Sequence, residues 1–266
     1  MPKKAVLIMF WHIETDIISL LVMAAIYLYS TRVQANNEQA LPQRRFRWCL
    51  QVGLLVTVVD VAASLAMEMP VSAPVYHLLM TTYMVVIELV IVTWFYYAVS
   101  ILYHDDSRRA RRMAILGGLP YALYVPLALS TPWTGLIYSL GPGNAYTRGP
   151  LFSLMVVVYA IYALALFLLV FLRRRHLPPG YSLTILLLTP LVLALAIAVQ
   201  LLHPGWLMIL PGYMFSMVTS FLFLQTRRLR DSQALLANLS RAALTDGLTG
   251  LYNRAGMEYL VQQRRV

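Results

Sequence analysis

A chain of 266 residues that is 60% hydrophobic and only 12% charged is not an ordinary soluble domain, which carries about a quarter charged residues. Its formal net charge of +10 would suit a nucleic-acid partner in a soluble protein. Here the arginines stand in short clusters between apolar runs and read as membrane-side anchors, so no nucleic acid is expected. The single cysteine, Cys49, excludes an internal disulfide and belongs to no metal-ligand pattern.

The N-terminal stretch "KKAVLIMFW" has a basic start, but its apolar run is short and no small-residue cleavage site follows before Glu14, so no signal peptide is expected. A bilayer core takes about 20 apolar residues of helix. Seven segments meet that length: 13–30, 47–67, 74–102, 113–130, 150–172, 181–202 and 205–225. The expected fold class is therefore an all-α membrane protein, a bundle of seven transmembrane helices.

The loops carry the orientation. Arg32, Arg44, Arg45 and Arg47 follow the first span, Arg108, Arg109, Arg111 and Arg112 the third. Arg173, Arg174 and Arg175 follow the fifth, and Arg227, Arg228 and Arg230 the seventh, against only Lys3, Lys4 and Arg148 on the other side. The positive-inside rule then puts the N-terminus outside and the C-terminus in the cytoplasm. The long outer loop between spans four and five holds a Gly-Pro-Gly-Asn turn flanked by Ile137–Leu140 and Ala145–Thr147, which predicts a small β-hairpin lid. Spans six and seven are joined only by "HPGW", a tight hairpin.

Polar residues inside the apolar runs are the candidates for function. Asp60 lies in "VTVVDVAAS" and Glu88 in "MVVIELVIV". An ionised acid at mid-bilayer costs roughly 2.5–3.5 kcal/mol, so each should face the bundle and have partners. Counted from the shared outer loop, Asp60 lies ~12 Å deep and Glu88 ~20 Å, at 1.5 Å per residue, so they are not expected to form one site. Both a structural acid and a ligand or signalling acid fit each position. His12, His77 and His203 fall at the outer rim, with Glu14, Asp16 and Glu68 at similar height. No two of these histidines share helical spacing, so no metal is expected. Glu68, His77 and His203 instead stand where a ligand would enter from outside. Pro211-Gly212 in the seventh span predicts a kink, and a hinge, on the helix that leaves the membrane.

That helix continues as "TRRLRDSQALLANLSRAALTD". Leu229, Ser232, Leu236, Leu239 and Ala243 recur at steps of 3, 4, 3 and 4, the spacing of a coiled-coil seam. A parallel homodimer through residues 227–245 follows, with a lone amphipathic helix on the membrane surface as the alternative. As a helix the segment would extend ~30 Å.

Beyond it comes "DGLTGLYNRAGMEYL". The stretch resembles the opening of a GGDEF domain, the catalytic domain of diguanylate cyclases, whose pattern is Asp, any residue, Leu-Thr-Gly-Leu, any residue, Asn-Arg. Asp246, Leu248, Thr249, Gly250, Leu251, Asn253 and Arg254 match it in order, while Ala255 stands where the family has a second arginine. Physically the motif is a wide turn between helices. Gly247 and Gly250 admit the tight backbone, Leu248 and Leu251 can dock, and Asn253 can cap a helix starting at Arg254. Asp246 and Arg254 could pair across the turn.

The resemblance covers residues 246–266 only. In the family, the magnesium carboxylates, the guanine-binding residues and the signature loop lie later, so no catalytic, cofactor or metal residue is expected in this chain. GTP and magnesium belong to the catalytic domain that the resemblance implies, and this chain is expected to make no cyclic di-GMP.

The domain reading is a seven-span sensor over 1–226, a coiled-coil signalling helix over 227–245, and the edge of a GGDEF domain over 246–266. The seven-span region also resembles bacterial seven-helix sensory modules. The expected function is a receptor in the bacterial cytoplasmic membrane, surrounded by membrane lipid. It would control cyclic di-GMP synthesis in answer to an unidentified extracellular, periplasmic or membrane-borne ligand. A self-contained transporter or channel with a chance GGDEF-like tail is the alternative, though the two acids lack a basic partner in any span. A retinal photoreceptor is excluded, because its Schiff base needs a lysine in the last span and only Lys3 and Lys4 exist.

Overall fold

The computed structural model describes residues 2–34, 41–69, 71–141, 146–177, 183–203, 208–245, 249, 251–254 and 256–257. Among them are seven long helices: α1 (Pro2–Gln34), α2 (Leu41–Glu68), α3 (Ala73–Leu102), α4 (Ser107–Thr134), α5 (Leu154–Arg173), α6 (Leu183–Leu202) and α7 (Ile209–Leu244). Each is long and apolar enough to cross a membrane, which makes the chain a multi-pass, helical membrane protein. Its outer faces fit that medium: Leu21, Leu78, Leu123, Leu164 and Leu195 are all exposed, where a soluble protein would place charge. Two helices begin earlier than the apolar runs within them: α1 starts at Pro2, although its apolar span is Ile13–Arg32, and α4 starts at Ser107.

The chain divides into two compact units, Met1–Thr219 and Ser220–Val266, with the boundary inside α7. In the first unit α3 is the central post. Its span is 83% buried, against 50% or less for every other helix, and it packs against α2, α4, α5 and α6. Apart from Glu88 and Thr93, its segment "MVVIELVIVTWFYYAV" is apolar on every side and offers no polar face to water.

Prolines inside helices create local demands that other side chains meet. Pro190 lies within α6 and has no N–H for the carbonyl four residues back, Leu186. The indole of buried Trp94 on α3 donates to that carbonyl oxygen at 3.2 Å. Beside Pro120 of α4, the Tyr162 hydroxyl enters the helix ladder, donating to Gly117 O at 2.5 Å and accepting from Tyr121 N at 3.3 Å. Close approach is used once between α2 and α7: a Cβ on Gly53 would stand 2.7 Å from the Tyr213 ring, whose hydroxyl donates to Cys49 O at 2.8 Å.

The predicted hairpin is present. Gly135 closes α4 at φ 66 with its N–H on Thr131 O, a left-handed cap that glycine adopts without strain. Strands β1 (Tyr138–Leu140) and β2 (Tyr146–Arg148) then pair antiparallel, Tyr138 opposite Arg148 and Leu140 opposite Tyr146. The Gly-Pro-Gly-Asn turn lies largely outside the described residues.

Candidate functional site

Asp60 of α2 is 6% exposed and faces a residue the sequence placed at the rim: Asp16 of α1, 2% exposed. The two carboxyl groups lie within hydrogen-bonding reach of each other. α1 begins at Pro2, but its apolar span is Ile13–Arg32, so Asp16 lies in the first turn of that span. The hydroxyls three residues away on each helix, Ser19 and Thr57, donate to their own backbones, to Thr15 O at 2.8 Å and Gly53 O at 2.9 Å. Neither is offered to the acids. Oδ2 of Asp16 has no hydrogen-bond partner.

Glu88 of α3 is also buried, 6% exposed. It lies within electrostatic reach of Tyr121 and Tyr124 on α4 and of Tyr159 and Tyr162 on α5. The hydroxyls of all four are committed to carbonyl oxygens: Tyr121 to Val85 and Tyr124 to Met84 at 3.0 Å each, Tyr159 to Pro190, and Tyr162 to Gly117. A hydroxyl has one proton to give, so none of these tyrosines donates to Glu88.

At the end of the bundle that carries the hairpin, His77 is drawn into a latch. The buried Tyr138 hydroxyl of β1 lies 2.8 Å from Thr81 Oγ1, 3.1 Å from His77 Nδ1 and 3.1 Å from His77 O. Tyr146 of β2 stacks on Tyr138 with ring centroids 6.0 Å apart. Burial pushes the Tyr138 phenol up, partly offset by Thr81, and pushes the Tyr146 phenol up to about 12. His203, at the end of α6, is exposed, its N–H on Val199 O at 2.8 Å. The side chain of Glu68 lies outside the described residues. No three His, Cys, Asp or Glu side chains among the described residues are grouped to hold a metal ion.

Pro211 and Gly212 take a different place from the one expected of a hinge. Pro211 is the third residue of α7, and the first ladder bond runs from Gly212 N to Met208 O at 3.0 Å. An N–H at Pro211 would have had no helical acceptor, so the proline breaks no bond and puts no kink in mid-span. Gly212 instead lets α7 lie close to α6, where an added Cβ would stand 3.4 Å from Ala196 and Val192.

In the second unit, α7 exposes Leu229, Leu236 and Leu239, each 58% or more, and Ala243 with them. Asp246, Leu248 and Gly250 of the motif, and therefore the Asp246–Arg254 pair, lie outside the described residues. Thr249 Oγ1 stands 3.5 Å from Leu251 N, and Leu251 is exposed. Asn253 ties the turn to the end of α7: its N–H bonds Leu244 O at 3.0 Å and its side-chain amide donates to Ala243 O at 2.8 Å. Its Oδ1 accepts from Gly256 N at 2.9 Å, the cap anticipated for a helix opening at Arg254. A bridge between Thr245 and Tyr252 closes the same turn.

No family model, curated protein or solved structure matches the chain.

Proposed function

We propose that this protein is a membrane receptor that controls cyclic di-GMP synthesis by a diguanylate cyclase domain opening at residue 246. The observation that carries the reading is the match of Asp246, Leu248, Thr249, Gly250, Leu251, Asn253 and Arg254 to the GGDEF opening pattern. The position of Asn253 supports it, since that residue bonds both the end of α7 and the start of the next helix. A change in α7 therefore has a direct route into the segment that follows. The arginine distribution supports an N-terminus outside and a C-terminus in the cytoplasm, in keeping with a receptor of the bacterial cytoplasmic membrane. The exposed leucines at 229, 236 and 239 provide the seam of a parallel homodimer, the geometry that condensation of two GTP molecules on facing protomers requires. GTP and magnesium act in the cyclase domain, where the metal stabilises developing phosphate charge.

The test is a chimera in which a GGDEF domain of known activity is joined in register at Asp246. Its cyclic di-GMP output in membranes should differ from that of the free catalytic domain and fall with L236D or L239D. Output equal to the free domain's and indifferent to both substitutions would refute the reading.

A further inference from the structure

We propose that Asp16 and Asp60 form a proton-binding site across the α1–α2 contact, sharing one proton between their facing carboxyl groups. α1 packs on α2, and this interface buries both acids almost completely. Two carboxylates at hydrogen-bonding distance repel each other strongly in a medium of low dielectric, and one shared proton turns that repulsion into a hydrogen bond. Oδ2 of Asp16 is a buried acceptor with no donor among the described residues, which a proton held between the two carboxyl groups would satisfy. A buried acceptor so placed is destabilising unless something supplies a proton to the site.

The surroundings select the proton over a metal cation. Hard cations take six or more oxygen ligands, more than the four carboxyl oxygens of the pair supply. No third His, Cys, Asp or Glu joins the pair among the described residues. Tyr83 of α3 interacts electrostatically with both acids, and also with Glu88 of α3 and Tyr146 of β2. No described basic side chain acts on either acid. The occupied state is a carboxylic acid on one aspartate donating to the carboxylate of the other. Release passes that proton to water and leaves two facing anions, which push α1 from α2. The proton thus becomes a ligand of the bundle, and the site stands whether or not the receptor reading does.

The experiment uses the purified full chain and needs no cyclase. Infrared spectra taken from about pH 5 to about pH 9 follow the carboxylic-acid C=O band, and thermal unfolding is followed across the same range. The wild type should lose a C=O component as pH rises and lose thermal stability with it. D16N and D60N should each abolish that component and flatten the stability profile, because the asparagine amide donates to the remaining carboxylate without a proton. E88Q should leave both signals of the pair in place. If one asparagine variant fails to assemble, the other gives the same readout. A flat wild-type profile, or a component that survives either substitution, overturns the proposal. Loss of the component on adding sodium at constant pH also overturns it, in favour of a metal cation.

Discussion

Asn253 is the residue at which the joint between α7 and the following segment can be taken apart bond by bond. Its side chain accepts from Gly256 N at 2.9 Å and donates to Ala243 O at 2.8 Å. Replacing a capping asparagine by alanine costs about 1 kcal/mol, and a side-chain bond to a partly exposed carbonyl adds about 0.5–1 kcal/mol. N253A should therefore open the turn by about 1.5–2 kcal/mol, raising the exchange rate of the Gly256 amide roughly tenfold or more. N253S retains a capping oxygen but cannot donate to Ala243 O, so it should lose only the second bond, a change of about threefold. Hydrogen exchange at Gly256 and Asn253 measures both variants without any enzyme attached. Equal protection in N253S and N253A would mean that the cap contributes nothing. Wild-type protection in N253A would refute the joint itself.

Three further outcomes follow from the membrane unit. Y138F removes the hydroxyl shared by Thr81 and His77 and should destabilise the hairpin by about 1–3 kcal/mol, read as faster exchange of the Gly149 and Leu151 amides. W94F leaves Leu186 O without a donor and should lower thermal stability by about 1–3 kcal/mol. In a P190A background, where the ladder N–H is restored, W94F should cost less, and equal costs would sever the link between indole and proline. In alkaline titration followed by phenolate absorbance, Tyr146 should ionise near 12, the value to which burial pushes it. Because the fold disfavours the phenolate, stability is full below the ordinary phenol range near pH 10 and falls as pH rises from about 10 towards 12. Y146F should remove that portion of the loss.

Much of this architecture was legible because it follows from one-dimensional rules. Apolar run length gave the seven spans, the Gly-Pro-Gly-Asn turn gave the hairpin, and Asn253 before Arg254 gave the cap. What stayed hidden depends on helix ends and on rotation about helix axes. Pro211 looked like a hinge only while the seventh span was drawn from residue 205, and a helix starting at Ile209 makes the same proline harmless. Asp16 stands near the start of the first span, Ile13–Arg32, a position that does not reveal its burial beside Asp60. Pairing across α1 and α2 depends on the relative offset of two helices, which no spacing within either one encodes.

The hydroxyls of the bundle narrow the search for function further. Tyr121, Tyr124, Tyr159, Tyr162 and Tyr213 all donate to helix carbonyls, and Ser19, Thr57, Thr93 and Ser216 do the same within their own helices. In hydrocarbon surroundings a backbone carbonyl freed by proline or by helix crossing must find a donor inside the protein. Side chains that look like the lining of a ligand site are thus already occupied with backbone. The carboxyl groups are different, since a carboxylate has no proton to give to a carbonyl. Asp16, Asp60 and Glu88 therefore gain nothing by serving the backbone, yet their burial is costly whenever they are ionised. A fold that keeps three such acids, with no described base acting on Asp16 or Asp60, retains them at a cost that packing alone does not explain. The polar chemistry of the membrane unit accordingly centres on these acids, and on the Asp16–Asp60 pair first, because there, among the described residues, one buried acid faces another.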